Sequence, residues 1–211
     1  PPRSTLFPYT TLFRSNHVTT DRQQNIWVAT TDGLSIISPG WRTVTGKTDT
    51  WMSTASEPEY SNFGKIISTY HDSRGWSWLC TSNGLIRFNP VTGSQVMMGR
   101  ISPLLSAAAH RVLEDGEGNL WMSGAGGLAR ISLTTIKNET EFGVDVFRFD
   151  ETDGLQGREF SETAALKLKS GEMVFGGVNG LNIFNPAEID IDHDAPRLIF
   201  THLRIFNKLV N

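Results

Sequence analysis

The residues best able to bind metals or to act as nucleophiles are few and scattered in this sequence. Five histidines stand at positions 17, 71, 110, 193 and 202, and the one cysteine is Cys80. Zinc sites need several His or Cys ligands at short, fixed spacings, and the sequence offers none. It therefore predicts no metal site, no cofactor and no catalytic group. A lone Cys80 also forms no internal disulfide, and small residues at the matching places elsewhere in the chain predict that it is buried.

A second group of side chains could bind a ligand without performing chemistry. Polar and aromatic residues stand at or just ahead of short stretches that read as strands. Arginine can pair with a carboxylate or with two hydroxyls, and an aromatic ring can stack on the face of a sugar. The candidates are Asn62, Phe63, His110, Arg111, Arg158, Glu159 and Phe160. The alternative interpretation is that these side chains simply pack, or are solvated, where each strand begins.

The elements that must position these residues are four copies of one unit. A Gly-Leu pair recurs with its glycine at 33, 84, 127 and 180, at a spacing typical of the four-stranded blade of a β-propeller. Asp-x-x-Gly-x-x-Trp precedes the pair in full in the second and third copies. The first copy has Gln24 in place of the glycine, and the fourth lacks the aspartate and the tryptophan. The residues of the repeat are Asp21, Trp27, Gly33, Asp72, Gly75, Trp78, Gly84, Asp115, Gly118, Trp121, Gly127, Gly171 and Gly180.

Each copy predicts the same local structure. An inner strand leads into the Asp-x-x-Gly turn, where aspartate bonds to the backbone and glycine takes positive φ. A second strand carries the tryptophan, a tight turn reverses the chain, and third and outer strands follow. The tryptophan fills the wedge between adjacent blades, since a large aromatic side chain buries about 150–250 Å². Because no stretch has a helical period, the predicted fold class is all-β.

The composition argues against two classes of partner. The 19 Lys and Arg residues nearly balance the 22 Asp and Glu residues, for a net charge of −3, and no run of five like charges occurs. The sequence therefore shows neither the excess nor the clustering of positive charge that is typical of nucleic-acid binding. Its apolar runs are also shorter than the ~18 residues that a membrane span requires.

The repeat resembles a known family. Asp-x-x-Gly-x-x-Trp-x-x-Thr-x-x-Gly-Leu-x-x-Phe-x-Pro is similar to the two-component regulator propeller repeat, which builds periplasmic sensor regions of hybrid two-component histidine kinases. The segment from Asp153 to Ser161, together with that from Gly171 to Pro186, resembles the last blade of those regions. The segment from Pro196 to Asn207 looks like the first strand of the immunoglobulin-like YYY domain that follows that blade in the family.

The resemblance, which covers residues 17–211, implies a division of the chain. Residues 1–16 match no repeat and are predicted to be a non-native or disordered tail. Residues 17–194 are predicted to form four four-stranded blades, as the C-terminal part of a larger propeller, and residues 195–211 to begin the YYY domain. The predicted blade ranges are 17–58, 62–105, 108–152 and 158–194. An open arc of this kind exposes sheet faces and edges, so we expect it to associate with itself.

The resemblance also implies a function. It suggests a periplasmic, non-enzymatic sensor that recognises an oligosaccharide or another small ligand and relays binding to a membrane-linked kinase. The expected partners are the remaining blades, the YYY domain and, in the full receptor, a second copy. Two alternatives remain open, a protein-interaction scaffold and a metal-dependent propeller lyase in which His110 would be the catalytic candidate. A sialidase is disfavoured because its Asp-box places aspartate two residues before glycine, whereas Asp72 and Asp115 stand three residues before theirs.

Overall fold

The chain forms a series of small antiparallel sheets. The computed structural model describes residues 14–39, 51–53, 63–134, 137, 141–191, 203–205 and 208–210. Unit 1 is β1 (Ser15–Thr20), β2 (Ile26–Thr30), β3 (Gly33–Ile37) and β4 (Trp51–Ser53). Unit 2 is β5 (Ile66–His71), β6 (Ser77–Thr81), β7 (Gly84–Phe88) and β8 (Gln95–Met97). Unit 3 is β9 (Ala109–Glu114), β10 (Leu120–Gly124), β11 (Gly127–Thr134) and β12 (Gly143–Phe149). Unit 4 is β13 (Phe160–Lys167), β14 (Met173–Gly177) and β15 (Gly180–Phe184). A separate hairpin pairs β16 (Leu203–Ile205) with β17 (Lys208–Val210).

The predicted all-β class and the strand order within each unit are confirmed. Unit 4 differs from the prediction of four strands, because its sheet has three strands within the described part of the chain. The helical elements that lie entirely within the described residues are α1 (Met98–Ile101) and short 3-10 turns at Pro103–Leu105, Glu151–Asp153 and Pro186–Glu188. At the start of the chain, β1 begins at Ser15, inside the range that the sequence assigns to a tail. The reason is that the Asn16 amide bonds to the Ile66 carbonyl of unit 2 at 2.8 Å and holds the strand in place.

The repeat motif forms a closed hydrogen-bond arrangement that we call the Asp–Trp clasp. In unit 2, Asp72 Oδ1 accepts the backbone N–H groups of Arg74 and Trp76 at 3.0 and 2.8 Å, while Oδ2 accepts the indole N–H of Trp78 at 3.0 Å. The same indole bond joins Asp21 to Trp27 at 2.9 Å and Asp115 to Trp121 at 3.0 Å. One carboxylate therefore satisfies both the turn and the buried tryptophan that packs the blade.

Backbone geometry explains the glycine of the Asp-x-x-Gly turn. Gly75 and Gly118 both have φ of 84°, and Gly171 has φ of 98°. Gln24, at the equivalent place in unit 1, has φ of 63°. The turn itself is retained there, since the N–H of Gln24 bonds to the Asp21 carbonyl at 3.1 Å. A residue with a Cβ is strained in this conformation, so unit 1 forms the turn at an energetic cost.

The units are separate hydrogen-bonded sheets that pack through their side chains. Trp27 is buried in a cluster with Leu79, Ile86 and Phe88 of unit 2. Trp78 is buried in a cluster with Leu120, Met122 and Ile131 of unit 3, and Trp121 with Met173 and Phe175 of unit 4. The predicted role of the three tryptophans, to fill the space between adjacent blades, is confirmed. Cys80 is fully buried as predicted, and burial raises the pKa of its thiol to about 11.

Unit 4 leaves one apolar face open. Val174 occupies the register position of the three tryptophans, and Ile183 pairs with it across the sheet. Leu181 is 58% exposed and Ile183 is 56% exposed, whereas Leu34 at the position of Leu181 is 1% exposed. In units 1 to 3 this face packs against the following unit. In unit 4 no sheet among the described residues covers it.

Candidate ligand site at the inner strands

The inner strands β1, β5, β9 and β13 lie side by side at the centre of the arc. Because each uses one edge to pair within its own sheet, carbonyls on the other edge need partners from elsewhere. Side chains of neighbouring strands supply some of them. Asn16 bonds to the Ile66 carbonyl, Ser68 bonds to the His110 carbonyl at 2.6 Å, and His110 Nδ1 bonds to the Phe160 carbonyl at 2.6 Å. These bonds tie successive units together around the centre.

His110 is therefore a structural link between units 3 and 4. It is buried, and its carbonyl partner assigns the ring proton to Nδ1. Asn16 holds the same register position in unit 1 and bonds to the equivalent carbonyl. The sequence did not reveal this role, although two polar side chains at one repeat position are a signal that could have suggested it.

The two phenylalanines among the predicted ligand residues belong to the core. Phe63 and Phe160 are each 2% exposed. The Phe63 ring meets Phe88 edge-on with centroids 6.4 Å apart, and the Phe160 ring meets Phe175 in the same way at 6.3 Å. Neither ring has a free face on which a sugar could stack, so packing describes both residues. Asn62, also predicted, lies outside the described residues.

Arg158 and Glu159 lie on the exposed segment that leads into β13. The Arg158 guanidinium bonds through Nε to Glu151 at 2.8 Å, and this bond is the main reason that the pKa of Arg158 is raised. Its backbone carbonyl accepts the N–H of Gly127 at 2.7 Å, which fixes the segment to unit 3. The Glu159 side chain is exposed. Both residues are accessible, but the guanidinium of Arg158 already has a carboxylate partner.

Arg111 has a different environment. It lies on β9 and is half-buried, and burial lowers its pKa. No hydrogen bond or ion pair joins its guanidinium to any residue that the structure describes, and its Nε is buried without a partner. The nearby ionisable groups are His17 and Cys80, and neither supplies a negative charge at neutral pH.

His17 lies close to Arg111 at the centre of the arc. Its Nδ1 accepts the backbone N–H of Thr69 at 3.3 Å, which leaves the ring proton on Nε2 when the ring is neutral. Burial, followed by the charges of Arg111 and His71, lowers the pKa of His17 to about 4. At neutral pH the ring is therefore uncharged and can donate one hydrogen bond from Nε2.

An ion pair that the sequence did not predict connects units 2 and 4 across the arc. Lys65 Nζ lies 2.7 Å from Glu162 Oε1, and both side chains are partly exposed. Lys65 directly precedes β5, and Glu162 lies on β13. The two residues are 97 positions apart, so no local pattern could have paired them. The contact shows that the inner strands of units 2 and 4 approach each other although unit 3 lies between them in the chain.

A concave region lies between units 1 and 2, on the side of the Asp-x-x-Gly turns. This pocket has a volume of about 240 Å³, and Asp21, Asn25, His71 and Trp76 contribute to its wall. His71 Nδ1 meets Ser77 Oγ at 3.0 Å, whereas its buried Nε2 has no partner within the described residues. Sequence reasoning missed this pocket because its wall combines turns from two different repeats.

No group of three or more His, Cys, Asp or Glu side chains that could hold a metal occurs within the part of the chain that the structure describes. In the same part, no helix is both long and apolar enough to cross a membrane.

Known proteins share this arrangement of sheets. The extracellular domain of the hybrid two component system BT3049 from B. thetaiotaomicron matches with a TM-score of 0.62 and 22% identity, over 80% of this chain and 21% of that chain. A virginiamycin B lyase from Staphylococcus aureus, solved with quinupristin, matches with a TM-score of 0.51 and 14% identity, over 83% of this chain and 57% of that chain. The fold is that of a β-propeller.

Sequence comparison adds one relative with a named activity. The propeller chain is 36% identical over 103 residues to histidine kinase P4 of Formosa agariphila, a match that covers 49% of this chain. It covers 7% of the kinase, so the chain corresponds to a small part of that relative. No protein-family model matches the chain.

Proposed function

We propose that this propeller chain is part of the periplasmic sensor region of a hybrid two-component receptor. The observation that carries the proposal is its sequence similarity to a histidine kinase, combined with a fold shared with the extracellular domain of a hybrid two component system. The hairpin of β16 and β17 lies where the resemblance expects a YYY domain, and we assign it to the start of that domain.

The proposed ligand is an oligosaccharide, bound where the inner strands converge. Arg111 and His17 are hydrogen-bond donors there without acceptors among the described residues. Ligand sites in proteins are typically concave and combine a few convergent polar groups with a rigid scaffold. The inner strands provide such a scaffold, since Asn16, Ser68 and His110 link each strand to the next.

Binding without chemistry is the mode of action that the inner strands support. His110, the candidate for lyase chemistry, uses Nδ1 to hold the Phe160 carbonyl and is buried. A ligand that contacts several inner strands would instead favour one arrangement of the units over another. The receptor would pass this population shift through the YYY domain towards its kinase.

The proposal is tested by isothermal titration of the complete extracellular region against a panel of oligosaccharides, with chromatography of each sugar before and after incubation. We expect saturable binding of at least one sugar and its recovery intact. Cleavage of the bound sugar would contradict the sensor assignment, and so would the absence of binding across the panel.

A further inference from the structure

The charge environment of Arg111 separates it from the other arginines of the propeller. Arg14 and Arg100 are exposed to solvent. The other arginines of units 1 to 4 whose side chains the structure describes all meet a carbonyl, a carboxylate or an aromatic ring, and they are Arg22, Arg74, Arg87, Arg130, Arg148 and Arg158. Arg111 is half-buried and has no such partner among the described residues.

The position of Arg111 directs it to the centre of the arc. Arg111, His17 and Ser68 occupy the same register position on their inner strands. Their partners across the sheet are equivalent residues of the second strands, namely Ser123, Ala29 and Cys80. The other two both reach across to a neighbouring inner strand, His17 to the Thr69 N–H and Ser68 to the His110 carbonyl. This register position therefore carries polar side chains that reach between neighbouring inner strands.

The groups around Arg111 do not neutralise it. Cys80 is a buried thiol whose pKa is raised to about 11, and His17 is uncharged at neutral pH. His17 Nε2 adds a second donor beside the guanidinium. A partly desolvated cation with a neighbouring donor and no acceptor favours a negatively charged partner, because taking a charge out of water costs free energy that an opposite charge offsets.

We propose that the ligand carries an anionic group, a carboxylate or a sulfate ester on a sugar ring, which Arg111 and His17 hold at the centre of the arc. This inference rests on the proposed function and narrows its ligand to an acidic oligosaccharide. The planar guanidinium fits a carboxylate or a sulfate through two parallel hydrogen bonds. Neutral sugar hydroxyls could accept the same bonds but would leave the positive charge uncompensated.

The test compares sugars that differ only in charge, with the complete extracellular region as the protein. The probes are a uronic-acid oligosaccharide, its neutral counterpart with the carboxylate reduced to an alcohol, and a sulfated form of that neutral sugar. A hydrogen bond between charged partners contributes about 1.5–3 kcal/mol. We therefore expect at least one acidic sugar to bind ~10- to 100-fold more tightly than the neutral one, and whichever sugar does so identifies the anion.

Variants of the propeller assign the effect to a residue. Arg111→Gln should weaken binding of the acidic sugar far more than binding of the neutral sugar and so remove the preference, and Arg111→Lys should retain part of it. Arg130→Gln is the matched control, because Arg130 is also half-buried but pairs with Glu117, and it should preserve the preference. A melting temperature within a few degrees of wild type shows that a variant is folded.

Three outcomes overturn the inference. Equal affinity for acidic and neutral sugars would refute the anion site and leave the sensor proposal intact. A charge preference that survives Arg111→Gln would place the anion elsewhere. Failure of every sugar to bind would contradict both the inference and the proposed function.

Discussion

Removing the carboxylate of one Asp–Trp clasp should destabilise its blade, because three hydrogen bonds to that carboxylate are lost. In Asp72→Ala, the fully buried Trp78 loses the acceptor of its indole N–H, and two backbone N–H groups of the turn lose theirs. A buried donor without a partner costs about 1–3 kcal/mol. The turn N–H groups lie nearer to solvent and recover part of their loss from water. The expected total is about 2–4 kcal/mol.

Hydrogen exchange of the complete extracellular region measures this cost locally, without requiring the whole protein to unfold in one step. If β6 opens more readily by 2–4 kcal/mol, its amides at Ser77–Thr81 should exchange roughly 30- to 700-fold faster, at 1.4 kcal/mol for each factor of ten. Asp32→Ala, which alters an exposed aspartate of the turn after β2, is the control and should leave exchange nearly unchanged. An increase below 5-fold in Asp72→Ala would refute the claim that the clasp holds the blade together.

Three further predictions concern backbone strain, pH and association. Gln24→Gly should raise the free energy of unfolding in urea by up to ~1 kcal/mol, because Gln24 is strained at a φ of 63°. Gly75→Gln should lower it by ~1–2 kcal/mol. That loss would come from the positive φ alone, since a Cβ at Gly75 meets nothing within 4 Å. Burial, Arg111 and His71 lower the folded-state pKa of His17 from 6.5 to about 4. The neutral ring of His17 therefore contributes fully to the stability of the fold above pH 6.5, and this contribution is lost as the pH falls towards 4. His17→Gln should flatten the melting-temperature profile across that window, and an unchanged profile would contradict the assignment. The isolated 211-residue chain should associate through the open face of unit 4, and Leu181→Ser with Ile183→Thr should shift it towards monomer in light scattering; a monomeric parent chain would show that the face does not drive association.

The sequence predicted the parts of the fold that the repeat motifs define. The Gly-Leu pairs, joined by the tryptophans in units 1 to 3, mark the second and third strands of each unit, and the structure has those strands at the predicted places. A short-range pattern is sufficient there, because a turn and its two flanking strands lie within about twenty residues. The backbone half of the clasp was predicted, but the indole bond was not, since the indole of Trp78 reaches Asp72 only once the turn between them has its folded geometry.

The candidate site was less predictable because its contacts are long-range. The sequence marked Phe63, His110 and Phe160 as polar or aromatic groups at strand starts, and the structure buries all three between units. The sequence also marked Arg111, but only the structure shows that no described residue supplies it with a counter-charge. The pair of Lys65 and Glu162 could not be foreseen, because it depends on how three units curve around the centre.

A crystal structure of the complete proposed sensor region with a bound oligosaccharide would show whether the ligand lies against the inner strands. We expect an intact sugar against the inner strands, with an oxygen of its anionic group within hydrogen-bond distance of the Arg111 guanidinium. A sugar bound on the outer strands, or one cleaved at a glycosidic bond, would contradict this expectation.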